Sequence, residues 1–390
     1  MCSWRWAGTL TPARTRWLEH STSRLMNTLL QIQNVCLEAL AYLLPAERVS
    51  SGQIEQRLEP LYRRLGLVEG RLEAMTGIAE RRLWPAEALP SDTSAQVACM
   101  AMEAAHIDPS QIGLLVHGSV CRDRLEPATA CRVHHLAGLS PECLVYDVSN
   151  ACLGLLNGML QAAALIELGA VQAALVVGTE NSRSLLESTI RWLVETPGLD
   201  RQAIKPAMAS LTIGSAACAV LLTHRTISRT DCGVGLAVWR AESAQHRLCQ
   251  SGPDDAVGLG MQPLMDTDSE ALLAAGIEAG KATFGPFVEQ LQRMGWPLQA
   301  TICHQVGSAH RRAILKALQL DPQSDYITYP YLGNTGSVAL PLTLAVAAEK
   351  AQLVDQQIVG LLGIGSGVNC LMMACRWGPV AVYGRDLAAA

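Results

Sequence analysis

YDVSNACLGLLNGMLQAAALIELGA, residues 146–170, is the stretch whose reading decides the fold. Val145, Tyr146, Asp147 and Val148 read as the end of a buried strand. Leu153, Leu156, Met159 and Leu160 then recur at helical spacing. Cys152 therefore falls where a strand hands over to a helix, with Ser149 or Asn150 placed as a cap. Unpaired N–H groups at a helix start favour negative charge, so the position predicts a thiol of lowered pKa. Ala151 and Gly154 are small and leave room for a ligand. A covalent thiol nucleophile needs this platform, thiolate bias and open approach. The alternative for any single cysteine is a packed small hydrophobe, and the chain has 13.

A chain of 390 residues can hold two domains or one large duplicated one. With 49% hydrophobic and only 17% charged residues, much of the surface should be covered, by an oligomer interface or an apolar channel. The net charge of −5 and the lack of a dense Lys/Arg stripe argue against nucleic acid as a partner. The cysteines are odd in number and scattered without framework spacing, which suits reduced thiols in a cytoplasmic protein. No apolar run reaches the ~18 residues that span a bilayer. Residues 1–25 are rich in Arg, Trp, Ser and Thr with one acid, Glu19. A transit peptide has such a composition, but an unstructured extension or an upstream start codon is the reading adopted, because the orderly segment begins at Met26.

Strand-like runs fall at 112–116, 143–148, 173–177, 216–222, 300–303 and 358–362, with helical patterns at 94–106, 153–168, 269–294, 310–318 and 340–351. Strands alternating with helices indicate α/β layers. There is an internal echo. GLLVHGSV (113–120) and ATICHQVG (300–307) each run from a strand into a polar turn. Each is followed, thirty to forty residues on, by a small-residue helix start, NACLG (150–154) and NTGSVALP (334–341), and then by another strand. Two halves of similar order suggest a duplication with its junction in the polar stretch 223–231. The expected division is an extension 1–25, an N-terminal half 26–224 with the cysteine, and a C-terminal half 225–390. Residues 245–268 read as a long covering loop.

The second half supplies His304, at the end of an apolar run, and Asn334, in a Gly-rich turn before a helix. Alone, the first is an ordinary structural histidine and the second an ordinary cap. At the carboxyl ends of parallel strands, however, Cys, His and Asn can converge where ligands bind. The sulfur then takes an acyl group, and the two donors hold the carbonyl oxygen of a second thioester as charge grows on it. GIGSG (363–367) is not a dinucleotide fingerprint, because a strand follows it. It is either a hairpin turn or a turn that brings a backbone N–H to a substrate oxygen. GIEAGK (276–281) is one residue short of a phosphate loop. No spacing suggests a metal site, and no cofactor is expected. Glu126, in the arginine-rich CRDRLEPATA (121–130), reads on its own as a solvated ion-pair residue.

Together these motifs resemble the ketoacyl synthase III-like branch of the thiolase superfamily. Its order is a nucleophilic Cys in an ACxG-type turn, then His, then Asn in a GNxxxAS/P-type turn, then a Gly-rich turn. Those positions are Cys152, His304, Asn334 and Gly365-Ser366-Gly367 here. Within that branch, residues 26–377 look most like the long-chain acyl-CoA condensing thiolases of bacterial olefin biosynthesis. The most specific strings are GIAERRLW (77–84) and SVCRDRLEP (119–127). Residues 1–25 and the tail after Trp377 have no counterpart, and Leu332 stands where that family commonly has His.

The resemblance implies a five-layered αβαβα thiolase fold made of two duplicated halves, built as a homodimer. It implies head-to-head, non-decarboxylative Claisen condensation of two fatty acyl-CoAs to a 2-alkyl-3-oxo acid, in a pathway with further enzymes downstream. Cys152 would carry the acyl group, and the backbone N–H groups of Cys152 and Ser366 would form the oxyanion hole. His304 and Asn334 would hold the enolate oxygen. Glu126 would act as base in the active site of the neighbouring subunit. Two alternatives stand beside it: a decarboxylative 3-oxoacyl synthase III using malonyl thioester, which needs no glutamate base, and a non-catalytic thiolase-fold partner subunit.

Overall fold

The computed structural model describes residues 28–251 and 264–388. Residues 1–25 and the middle of the 245–268 loop lie outside the described residues. Ten strands form the main sheet: β1 (Leu29–Leu44), β2 (Leu114–Gly118), β3 (Leu144–Val148), β4 (Ala173–Glu180), β5 (Ala216–His224), β6 (Gly233–Ala241), β7 (Ala300–Cys303), β8 (Ile358–Gly365), β9 (Asn369–Arg376) and β10 (Ala381–Asp386). Their order is β7-β8-β9-β6-β1-β5-β4-β2-β3, with β10 also on β1. One topology occurs twice. In the first five strands the spatial order is third, second, fourth, fifth, first, with the second parallel to the third and fourth and the fifth antiparallel. In β6–β9 the order repeats, and the third strand shrinks to a single parallel bridge from Thr301 to Asp325.

The two strand sets meet at β1. Its C-terminal part pairs with β5 and its N-terminal part with β6, and the register shifts in both pairings. Residues of a strand point alternately to opposite faces, and here the alternation divides three cores. Ala39, Ala41, Leu43, Leu115, Leu175 and Val177 face one outer layer, the helices Pro90–Ala105 and Thr129–Leu136. Leu40, Tyr42, Val116, Val176, Leu361 and Met373 face a middle layer, the helices Gly154–Glu167 and Ala339–Glu349. Leu236, Leu362, Ile364 and Met372 face the other outer layer, the helices Ser269–Arg293 and Ser308–Leu318. This is the expected five-layered αβαβα arrangement. The middle helix Ala339–Glu349 is buried along residues 339–347, as a helix apolar on all sides must be.

Several local readings need correction. The helix after Cys152 begins at Gly154, and its cap is Leu153 with no side-chain bond, so neither Ser149 nor Asn150 caps it. β3 is a half-exposed edge strand rather than a buried one, and Leu144 is 52% exposed. The tail after Trp377, for which the sequence offers no family counterpart, forms β10 parallel to β1, and Asp386 meets the guanidinium of buried Arg82 through two bonds of 2.9 and 2.8 Å. The flanks of the 245–268 loop pair as a short hairpin, Cys249–Ser251 with Met265–Thr267. No helix among the described residues is long and apolar enough to cross a membrane.

Candidate active site

Four of the five sequence-derived residues lie on turns that the sheet brings to one end of the molecule. Cys152 follows β3 in a tight turn in which Ala151 takes φ +44°. That conformation is uncommon for a residue with a side chain. The turn is tied by Leu153 N–H to Asn150 C=O and by Gly154 N–H to Ala151 C=O. Asn150 is the anchor. Its amide donates to Asn157 Oδ1 at 2.8 Å, and its Oδ1 accepts from Asn369 Nδ2 at 3.0 Å.

Asn369 opens β9, immediately after the Gly-Ser-Gly turn, and also donates to the carbonyl of Ser366 at 3.3 Å. The turn is a hairpin between β8 and β9. A methyl group at Gly365 would lie 3.6 Å from Cys152 N and 3.7 Å from its Cβ. The nearest atom to that methyl would be Leu153 Cγ, at 3.1 Å. Gly365, at the start of that turn, therefore lies close to the Cys152–Leu153 backbone.

His304 follows β7, and its N–H donates to Leu362 C=O on the adjoining β8, three residues before Gly365. Asn334 is fixed through its backbone: its N–H donates to Thr212 C=O and its C=O accepts from Gly214 N–H, both at 2.9 Å. Its side-chain Oδ1 accepts from Gly336 N–H at 3.0 Å. That bond settles the amide orientation and turns Nδ2 away as a free donor. Gly214 cannot carry a side chain, since a Cβ would sit 1.9 Å from Leu332 O. Glu126 stands apart, exposed on the loop after β2. Nothing in the single chain brings it to the other four.

The electrostatics overturn one expectation. Burial pushes the Cys152 thiol up to about 12, and the charge of Glu180 adds to the rise. The helix dipole loses because the helix starts two residues later and the sulfur is enclosed. His304 is pushed down to about 3 by burial and then by neighbouring His310, which burial alone lowers to about 4. Both rings are therefore neutral. Nδ1 of His304 is buried without a partner. An unpaired acceptor costs less than an unpaired N–H, which places the ring proton on Nε2.

A pH effect on stability follows. Each histidine stays neutral in the fold but gains a proton in the unfolded chain below its ordinary value near 6.5. Their stabilisation is complete above pH 6.5 and is lost as pH falls toward 4 for His310 and 3 for His304, at up to ~1.4 kcal/mol per pH unit each. Urea unfolding at pH 7, 6, 5 and 4.5 should show a shallower decline for His310→Asn than for the wild type. Equal slopes would refute the assignment.

Sequence reading missed Glu180, Ser337 and the Asn150–Asn157–Asn369 network. A carboxylate closing the apolar strand VVGTE was the available signal for Glu180.

A cysteine in a tight strand-to-helix turn, beside a glycine hairpin, with a neutral histidine and an oriented asparagine on neighbouring turns of a five-layered sheet, defines the thiolase-fold condensing enzymes. Residues 73–185 match the N-terminal domain of thiolase, residues 146–242 match 3-oxoacyl-[acyl-carrier-protein] synthase III, and residues 297–377 match the C-terminal part of that synthase. The chain is 38% identical over 352 residues to an acyl-CoA:acyl-CoA alkyltransferase of Shewanella oneidensis, covering 89% of this chain and 100% of that protein. It is 33% identical to the acyl-CoA:acyl-CoA alkyltransferase of Xanthomonas campestris, covering 88% and 99%. A structure of X. campestris OleA with bound lauric acid and lauroyl-CoA superposes with a TM-score of 0.80 at 33% identity, covering 89% of this chain and all of that one. The chain belongs to the acyl-CoA:acyl-CoA alkyltransferase (OleA) family of thiolase-fold acyltransferases.

Proposed function

We propose that this protein joins two long-chain fatty acyl-CoAs head to head without decarboxylation. Cys152 attacks the first thioester, CoA leaves as the thiol, and the acyl group stays on sulfur. Glu126 of a second copy removes an α-proton from the second acyl-CoA. The enolate oxygen is held by His304 Nε2–H and Asn334 Nδ2–H. The enolate carbon attacks the Cys152 thioester, and the tetrahedral oxyanion sits against the N–H groups of Cys152 and Ser366. Collapse expels the Cys152 thiolate, which recovers a proton from the Glu126 carboxylic acid. Hydrolysis of the remaining thioester gives a 2-alkyl-3-oxo acid and CoA.

The observation that carries this reading is the pairing of a complete Cys152–His304–Asn334 set with Glu126 on an exposed loop. A decarboxylating synthase needs no such base. The edge strand β3 supports assembly as a homodimer. It presents an unpaired edge, and exposed Leu144, Leu136, Leu125 and Val120 surround it. Apolar residues grouped at an open strand edge favour pairing with a second copy. We read the two halves as 26–224 and 225–390, and the enzyme as cytoplasmic, acting with later enzymes that consume its product.

Incubation with myristoyl-CoA alone, followed by mass spectrometry, should reveal the condensed 2-alkyl-3-oxo acid and the ketone formed when it loses CO2. Product only with added malonyl thioester would sink the proposal. His304→Ala and Asn334→Ala should each still permit some acylation of Cys152 but slow carbon–carbon bond formation by about 10²–10³, the usual loss for one oxyanion donor. Wild-type condensation in either variant would remove that residue from its role.

A further inference from the structure

Glu180, the last residue of β4, is a buried carboxylate with an unusual set of partners. Its Oε1 accepts from Val120 N–H at 3.0 Å, and its Oε2 accepts from Cys121 N–H at 3.3 Å. Both belong to the loop that carries Glu126, which begins at Ser119. Oε1 also accepts from the Ser337 N–H at 3.2 Å and lies 2.5 Å from its hydroxyl. Ser337 stands three residues after Asn334. Gly336, between them, is packed so closely that a Cβ there would lie 3.1 Å from the Glu180 carboxyl carbon.

The same knot reaches the nucleophile. The Ser337 hydroxyl lies 2.9 Å from Gly118 C=O, and a Cβ on Gly118 would meet the Gly154 carbonyl oxygen at 2.6 Å, at the head of the Cys152 helix. Ion–dipole bonds to backbone N–H groups are among the stronger hydrogen bonds, and burial removes water as a competitor. The N–H groups of Val120 and Cys121 find their acceptor in this carboxylate.

We infer that Glu180 is a positioning residue for the condensation step, fixing the loop of Glu126 and the turn of Asn334 to one point beside the Cys152 helix. This rests on the proposed roles of Cys152, Asn334 and Glu126. The base of one active site and the enolate donor of another thereby share a single anchor, since Glu126 acts across the dimer while Asn334 acts within its own chain. Glu180 acts on condensation through placement, and its charge separately raises the Cys152 thiol.

The test compares Glu180→Gln and Glu180→Asp in the full chain. Three quantities are read: acyl-enzyme formation from myristoyl-CoA by intact mass, condensed product, and the pH profile of Cys152 alkylation by iodoacetamide. Both variants should lose condensation by about 10²-fold, the cost of misplacing reacting groups by an ångström, while acylation of Cys152 changes far less. In Glu180→Gln the alkylation profile should also move to lower pH, because a negative charge near the sulfur is gone. Glu180→Asp keeps that charge and should keep the wild-type profile.

A residue that merely supports the fold would depress acylation and condensation together. That result, or wild-type condensation in Glu180→Gln, overturns the inference. Should Glu180→Gln fail to fold, the split between acylation and condensation in Glu180→Asp decides the question alone. If the wild-type enzyme makes no condensed product, the proposed function fails and this inference falls with it; if the wild type condenses but the variants lose acylation and condensation equally, the inference alone is overturned.

Discussion

Cys152→Ala is expected to abolish CoA release from acyl-CoA and to leave no acyl adduct on the protein, a loss on the order of 10⁶ where chemistry runs through a single nucleophile. Other thiols give the experiment its force. Cys121 is half-buried, Cys249 likewise, and Cys303 is buried, and burial raises the thiols of Cys121 and Cys303 well above their ordinary range. The Cys152 thiol is raised too, so low pKa does not distinguish it. What distinguishes it is place: the Ala151 turn with its positive φ, the nearness of Gly365, and the roles proposed for His304 and Asn334 on turns at the same end of the sheet. Intact-mass spectra that show the adduct on another cysteine would refute the assignment. The variant should remain folded, because the turn is held by Asn150, Asn157 and Asn369 and not by the thiol.

The sequence made some of this legible and hid the rest for identifiable reasons. Strands β7 and β8 and the helices flanking them could be read because apolar runs there end at glycine or polar turns. β1 could not. Val35 to Leu44 is buried throughout, with no residue more exposed than 6%, and Glu38 is its only charged residue, so both faces of the strand are largely apolar and the alternation that marks a strand disappears. LEALAYLL has the composition of a helix, and only pairing on both sides makes it extended. The thiol's acidity was misjudged because a sequence locates a helix start only to within a residue or two. It also says nothing of how tightly a sulfur is enclosed. Glu180 escaped notice because its partners lie about 60 and 157 residues away in the chain.

Glu126→Gln should separate condensation with proton abstraction from condensation driven by loss of CO2. The change keeps the size of the side chain but removes the base. Acyl transfer to Cys152 should survive, so the acyl-enzyme accumulates, while product from two acyl-CoAs collapses by about 10²–10⁴, the usual contribution of a general base. Within one chain Glu126 is exposed on the loop beside the β3 edge, and this placement leads to a sharper test. Mixing Glu126→Gln protomers with Cys152→Ala protomers creates heterodimers. If the glutamate acts across the interface, one site of each heterodimer has an intact Cys152 facing an intact Glu126, and the opposite site has neither. Activity should then return to about half that of a wild-type dimer for each heterodimer formed. If Glu126 serves its own chain, each site lacks one group and nothing is rescued. With subunit exchange verified by mass-tagged protomers, an inactive mixture counts against the cross-subunit role. Full activity of Glu126→Gln homodimers with malonyl thioester would instead favour decarboxylative chemistry.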